Sequence, residues 1–231
     1  MLKKAILPTL LLATLCLTPF ISEARRRPQS KPTTTSQNVP GKFDFYVLTL
    51  SWSPDYCETA GSRDPNQCSK GKQLGFVLHG LWPQYNSGWP ANCTTEAFNP
   101  KIKKQFPNLY PSPKLYTHEW EKHGTCSGLS QTKYHQLAFD LKNGVKIPDR
   151  YIKPTQPFRT TIADLKQDFI RTNPAMTENS IAPSCSGSGR FLKEVMVCHS
   201  KNGQLGDCSS QILKNSQKSC GQPNFLVRSV R

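Results

Sequence analysis

The chain has 231 residues, and its 30 Lys and Arg against 15 Asp and Glu give a net charge of +15. That length suits one sizeable domain with its own core and leaves no need for a second, while the charge draws the protein to polyanions. Nucleic acid is the first candidate partner because phosphate contacts release counterions; attraction to acidic lipid or polysaccharide, or charge kept for solubility alone, is the other reading.

Met1 to Lys4 is basic, Ala5 to Ile21 is mostly apolar, and Ser22-Glu23-Ala24 supplies small residues at −3 and −1, the pattern of a cleaved secretory signal over 1–24. A membrane anchor fits less well, since Pro8, Thr9, Thr14, Thr18 and Pro19 interrupt a run already short of the roughly 20 apolar residues a span needs. A secreted or periplasmic protein without an anchor is therefore expected. Removing 24 of 231 residues leaves 207, and losing Lys3, Lys4 and Glu23 lowers the charge from +15 to +14. Cys16 leaves with the signal, so nine cysteines become eight, an even number that in an exported chain points to disulfides.

Residues 25–41, RRRPQSKPTTTSQNVPG, hold no large apolar side chain except Val39 and read as a disordered basic tail. A single domain over 42–231 follows. FDFYVLTLSWS reads as a strand running into a Cys-rich loop, and Gly75 to Trp82 as a second strand with His79 near its end. Six prolines between Trp82 and Leu115 indicate loop with short helical pieces. Tyr134, Leu137, Ala138 and Leu141 share a stripe, giving a helix over Ser130 to Asn143 that Gly144 stops, and Thr161 to Thr172 repeats the pattern. Phe191 to Ser200 is a strand and NFLVRSV a candidate last one. Strands and helices mix without a βαβ rhythm, so the fold class is α+β: a mainly antiparallel sheet flanked by helices.

The densest chemistry lies in HEWEKHGTC, His118 to Cys126. On a helix from Leu115 to Gly124, residues about 100° apart place Lys122 near 40°, Glu119 near 100° and His123 near 140° from His118, with Trp120 near 200° and Glu121 near 300°. Four ionisable groups share a face, Trp120 packs inward and Glu121 meets solvent. A metal site fits poorly: the histidines are five apart, where a zinc-binding helix sets them four apart, and Lys122 would repel a cation. A Cys126 nucleophile paired with His123 would leave seven cysteines, an odd number, in an oxidising compartment. Acid–base work on RNA accounts for the whole set. The 2′-hydroxyl is the nucleophile, so what is needed is a base, an acid and cations against the phosphoryl oxygens, and histidine with its ordinary pKa of about 6.5 suits both proton roles. His79 in GFVLHGLWPQY is the candidate second histidine. A lone histidine in an apolar strand is more often a satisfied core residue, but Gly80 leaves room for a phosphate and Trp82 and Tyr85 offer faces for stacking. His135 and His199 read as structural or surface residues.

HGLWPQY and HEWEKHGTC, about 40 residues apart and in this order, resemble the two catalytic signatures of the ribonuclease T2 family, the secreted acid endoribonucleases. LTLSWSPDYC, SIAPSC and VMVC extend the resemblance over nearly everything from Lys42 onward. The resemblance implies that His79 and His123 form the acid–base pair, with His123 as base and His79 as acid, that Glu119 and Lys122 support the pentacovalent transition state, and that His118 binds the phosphate. It also implies an RNA substrate, a 2′,3′-cyclic phosphate intermediate, a 3′-phosphate product, and no metal or other cofactor; a monomer is expected, and two histidines that must hold opposite protonation states beside phosphate charge predict an acidic optimum. Trp82, Gln84 and Tyr85 would bind a base, with Gln84 standing where many relatives carry aspartate. Of the 105 pairings eight cysteines allow, it implies Cys57–Cys68, Cys93–Cys126, Cys185–Cys220 and Cys198–Cys208. A non-catalytic cationic protein on the same fold would be expected to lack a catalytic histidine, and none is missing. Asn92-Cys93-Thr94 matches a glycosylation sequon whose middle residue is an implied half-cystine.

Overall fold

Bulky residues at almost every position of FYVLTLSW build the first strand, β1 (Phe45–Trp52), which is covered on both faces. The computed structural model describes residues 38–230; the expected signal and most of the expected tail lie outside them. β1 pairs antiparallel with β2 (Phe76–Gln84) on one side and with β5 (Phe191–Ser200) on the other. β4 (Ile181–Ser186) adds antiparallel to β5, while β6 (Phe225–Val227) meets β5 in parallel at Phe191 and Leu226 and pairs antiparallel with β3 (Phe158–Thr160). The six-stranded sheet runs β2-β1-β5-β6-β3 with β4 beside β5, a mostly antiparallel α+β arrangement as the lack of a βαβ rhythm implied.

Successive side chains of a strand point to opposite faces, and here each face has its own cover. Tyr46, Leu48, Leu50 and Trp52 face the main core together with Leu78, Leu81, Val195 and Val197. Phe45 and Val47 turn to the second face, where Met196, Cys198, Ile212 and Leu213 pack. The helices are α1 (Ser53–Ala60), α2 (Pro65–Cys68), α3 (Lys101–Gln105), α4 (Pro113–Lys122), α5 (Gln131–Gly144), α6 (Ile162–Thr172) and α7 (Ser210–Ser219). Side-chain oxygens of Ser130, Thr161 and Ser209 accept from backbone N–H groups at the starts of α5, α6 and α7, satisfying donors the helices leave open. Trp120 of α4, Tyr134 of α5 and Leu165 and Phe169 of α6 complete the main core.

Several elements differ from the reading of the sequence. The segment read as a Cys-rich loop is helical as α1, opened by Pro54 in its first turn, where proline's missing N–H costs nothing. α7 escaped notice because its apolar content is little more than Ile212 and Leu213. β4 carries Pro183, which argues against a central strand, but its ladder is with β5 alone, and an edge tolerates proline. The tail also ends earlier than Gly41: the N–H of Gly41 donates to Cys126 O at 2.9 Å and Asn38 Oδ1 accepts from Ala91 N–H at 3.2 Å. Hydrogen bonds of the backbone and of the Asn38 side chain hold this stretch, and an apolar pattern cannot signal them. The bridges are Cys57–Cys68, Cys93–Cys126, Cys185–Cys220 and Cys198–Cys208, the same four pairs that the resemblance implied.

Candidate active site

One irregularity in the sheet positions the first histidine. Thr49 pairs with Gly80 but Leu50 with Leu78, so β2 carries one extra residue there, His79. Strict alternation would put His79 on the same face as Leu81, inside the main core. The extra residue instead lets Leu78 and Leu81 both face that core while His79 turns out, the re-aiming that a bulge provides.

Across the cavity stands α4. It starts at Pro113, earlier than Leu115, and ends at Lys122, with His123 as the residue beyond its last turn and a short 3₁₀ turn over Gly124–Cys126 following. The facial division still holds: Tyr116 and Trp120 are buried in the main core, while His118, Glu119, Lys122 and His123 line a cavity of about 320 Å³ with His79, Trp82 and Gln84. The close approach of α4 to β2 depends on Gly80, where a Cβ would lie 1.9 Å from Glu119 Oε2 and 2.3 Å from Trp82 Nε1. Through that gap the Trp82 indole N–H donates to Glu119 Oε2 at 2.8 Å. The Trp82 ring stands between the two imidazoles, 5.0 Å from His79 and 5.3 Å from His123 between centroids.

Burial sets the charges. Glu119 is 0 % exposed, and desolvation lifts its carboxyl to about 7 against the pull of His79, the Trp82 hydrogen bond and Lys122. His123 is pushed down to about 3 by burial, Lys122, His118 and His79. His118, at the rim, is held below its ordinary value by partial burial, Lys122 and His79, against Glu121. The free cavity thus holds an uncharged imidazole at His123 and, below neutral pH, an uncharged carboxyl beside it.

Of the remaining base-binding candidates, one lines the cavity and one does not. Gln84 lines the cavity but is nearly buried, its amide donating to Pro83 O at 3.1 Å. Tyr85 is not brought to the cavity; its ring packs against the main core. An aromatic the sequence reading passed over takes that place: Trp89, 61 % exposed, lines the cavity. Its loop is fixed by the Cys93–Cys126 bridge, by Asn92 N–H donating to Lys122 O at 2.9 Å, and by a turn in which Tyr85 N–H donates to the carbonyl of Gly88, whose φ is +81°. Val47, Met196, Ile212 and Asn215 form the opposite wall. Glu194 was also missed. It is 6 % exposed, with Oε2 3.6 Å from His79 Nδ1. No local motif marks these residues, because Val47, Met196, Ile212 and Asn215 reach the cavity, and Glu194 reaches His79, only through strand pairing and the docking of α7. Cys126 is committed to its bridge, and among the described residues no three His, Cys, Asp or Glu side chains converge as a ligand set.

Residues 43–208 match the profile of the Ribonuclease T2 family. A ribonuclease of Aeromonas hydrophila is 44 % identical over 202 residues, covering 83 % of this chain and 88 % of that protein. Ribonuclease MC1 from the seeds of bitter gourd has the same fold, with a TM-score of 0.59 at 23 % identity over 79 % of this chain and 99 % of that one. RNase NT, solved in complex with 5′-AMP, superposes with a TM-score of 0.52 at 26 % identity over 72 % of this chain and 91 % of that chain.

Proposed function

The chain belongs to the ribonuclease T2 family and is an endoribonuclease acting on RNA, and from that premise we propose that it cleaves single-stranded RNA by acid–base catalysis without metal or cofactor. What supports this reading is the convergence of His79, His118, Glu119, Lys122 and His123 on one cavity with an aromatic platform beside it. His123, uncharged in the free site, takes the 2′-hydroxyl proton as O2′ attacks phosphorus. The pentacovalent phosphorane carries extra negative charge, which the Lys122 ammonium and a proton on Glu119 meet while His118 holds a phosphoryl oxygen. The P–O5′ bond breaks as His79 gives its proton to the departing oxygen, leaving a 2′,3′-cyclic phosphate. Water then opens the ring with the two histidines in reversed roles, giving a 3′-phosphate end. The arriving phosphate adds negative charge beside His123 and strengthens it as a base.

Base preference is low in this reading. Trp89 offers a stacking face that accepts any base, Trp82 is engaged by both imidazoles and Glu119, and Gln84 supplies an amide in place of a charge. The protein acts as a secreted or periplasmic monomer without an anchor once residues 1–24 are removed, and four disulfides suit such an oxidising compartment. In EDTA, wild type is expected to cleave single-stranded RNA but not DNA, leaving terminal cyclic phosphates detectable by mass spectrometry. His79→Ala and His123→Ala should each lose at least about a hundredfold in kcat. Near-wild-type cleavage by either variant, or loss of activity in EDTA, overturns the mechanism.

A further inference from the structure

Glu194 is a buried carboxylate on the central strand of the sheet, between Lys193 and Val195. Its Oε1 accepts from Lys193 Nζ at 3.3 Å, while Oε2 and His79 Nδ1 have no hydrogen-bond partner among the described residues and lie 3.6 Å apart. Two buried polar atoms of opposite need thus face each other, and a small ring rotation joins them. The sheet arranges the meeting. Glu194 pairs across β1 with Ser51, whose short side chain leaves the imidazole space to reach over β1, and the extra residue in β2 turns His79 toward that gap. Desolvation favours the neutral acid at Glu194, but His79 and Lys193 outweigh it and hold the carboxyl below its ordinary value.

We propose that Glu194 is a positioning residue for His79: it accepts the Nδ1 proton, fixes the tautomer and leaves Nε2 aimed into the cavity. A carboxylate at Nδ1 also stabilises the imidazolium that must exist before the proton passes to the 5′-oxygen, the service a buried acidic partner gives a catalytic histidine. This rests on the reading of His79 as the acid. Besides Glu194, the groups that face His79 are Trp82 from its own strand, His118, Glu119, Lys122 and His123 from α4 and its end, Tyr56 of α1, and Lys193 behind Glu194.

The test is the pH–rate profile of Glu194→Gln on an RNA dinucleotide and on a uridine 3′-phosphodiester with a nitrophenolate leaving group. Loss of one neighbouring negative charge is expected to move the alkaline limb of kcat roughly one pH unit lower, since an opposite charge at this range shifts a titration by about that much or more. On the dinucleotide kcat should fall about tenfold at unchanged KM, and little on the nitrophenyl ester, whose leaving group needs no proton. Lys193→Met, at an exposed lysine, frees the carboxylate for His79 alone and should move the same limb upward, an outcome readable even if Glu194→Gln folds poorly. An unmoved limb in either variant, with His79→Ala inactive on the dinucleotide, overturns the role of Glu194. Equal loss of both substrates in His79→Ala overturns the acid assignment itself.

Discussion

The two sides of α4 use the same materials to opposite ends. On its core side, Phe98, Phe106, Tyr110, Tyr116, Trp120 and Tyr134 surround His135, whose Nδ1 donates to Gln131 O at 2.8 Å. Burial drives that imidazole down to about 4, and nothing ionic faces it. On the cavity side His123 is also buried and uncharged, yet His118, Lys122 and His79 contribute to its state; among the described residues His123 Nδ1, His79 Nδ1, Glu119 Oε1 and Glu194 Oε2 lack hydrogen-bond partners there, whereas on the core side His135 Nε2 is open too but has no charged group acting on it. Burial and a depressed titration therefore do not distinguish a structural histidine from a working one. The difference lies in whether charged neighbours and open hydrogen-bonding atoms point at the same space.

Mutations on either side should separate these properties. Trp120→Ala strikes the packed side: it removes a buried ring whose N–H donates to Glu96 O at 3.0 Å, and is expected to cost about 3–5 kcal/mol of stability. Below its lowered melting temperature the kcat of folded protein should stay within a few-fold of wild type; a loss as large as that of His123→Ala would mean the two sides are not separable. Gly80→Ala strikes the cavity side. Its Cβ must push Glu119 and Trp82 away, so kcat should drop roughly a hundredfold, as displacement by about 1 Å can do, with about 1–3 kcal/mol of destabilisation. Unchanged activity would show that the spacing of α4 and β2 does not matter.

The smallest effect concerns pH and stability. Glu119 titrates near 7 when folded against an ordinary 4.5, so its contribution is fully present below about 4.5 and is lost as pH rises through 7. His123, His135 and His199, held near 3, 4 and 4 against 6.5, contribute stability that is present above 6.5 and lost as pH falls through those values. The stability of wild type minus that of Glu119→Gln, measured by urea unfolding, should accordingly fall from about pH 4.5 to about pH 7.5, because glutamine has no proton to lose. A difference that stays constant with pH would place the carboxyl's titration elsewhere.

Much of this is legible in the sequence. Strong alternation marked β1 and β5, helical spacing marked α5 and α6, and counting residues around α4 separated Trp120 from the cavity group. What stayed hidden depends on partners distant in sequence. Glu194 reads as one polar residue in a strand until β1 brings it to His79, and Asn215 reaches the cavity only because α7 docks against the second face. Tyr85 shows the converse failure: adjacency to His79's motif suggested stacking, but just past the end of β2 its ring packs against the core while Trp89, on a tethered loop, takes the exposed position.

The extra residue in β2 divides the strand into two reading frames. Phe76 and Leu78 are counted in one and Gly80, Trp82 and Gln84 in the other, and His79 is the junction. Substitutions on either side alter what the strand says locally, but deleting a single residue between Phe76 and Gly80 would merge the frames and return one of these side chains to the wrong face. The site is therefore more tolerant of changed spelling than of changed length, and a one-residue deletion there should do more harm than several replacements together.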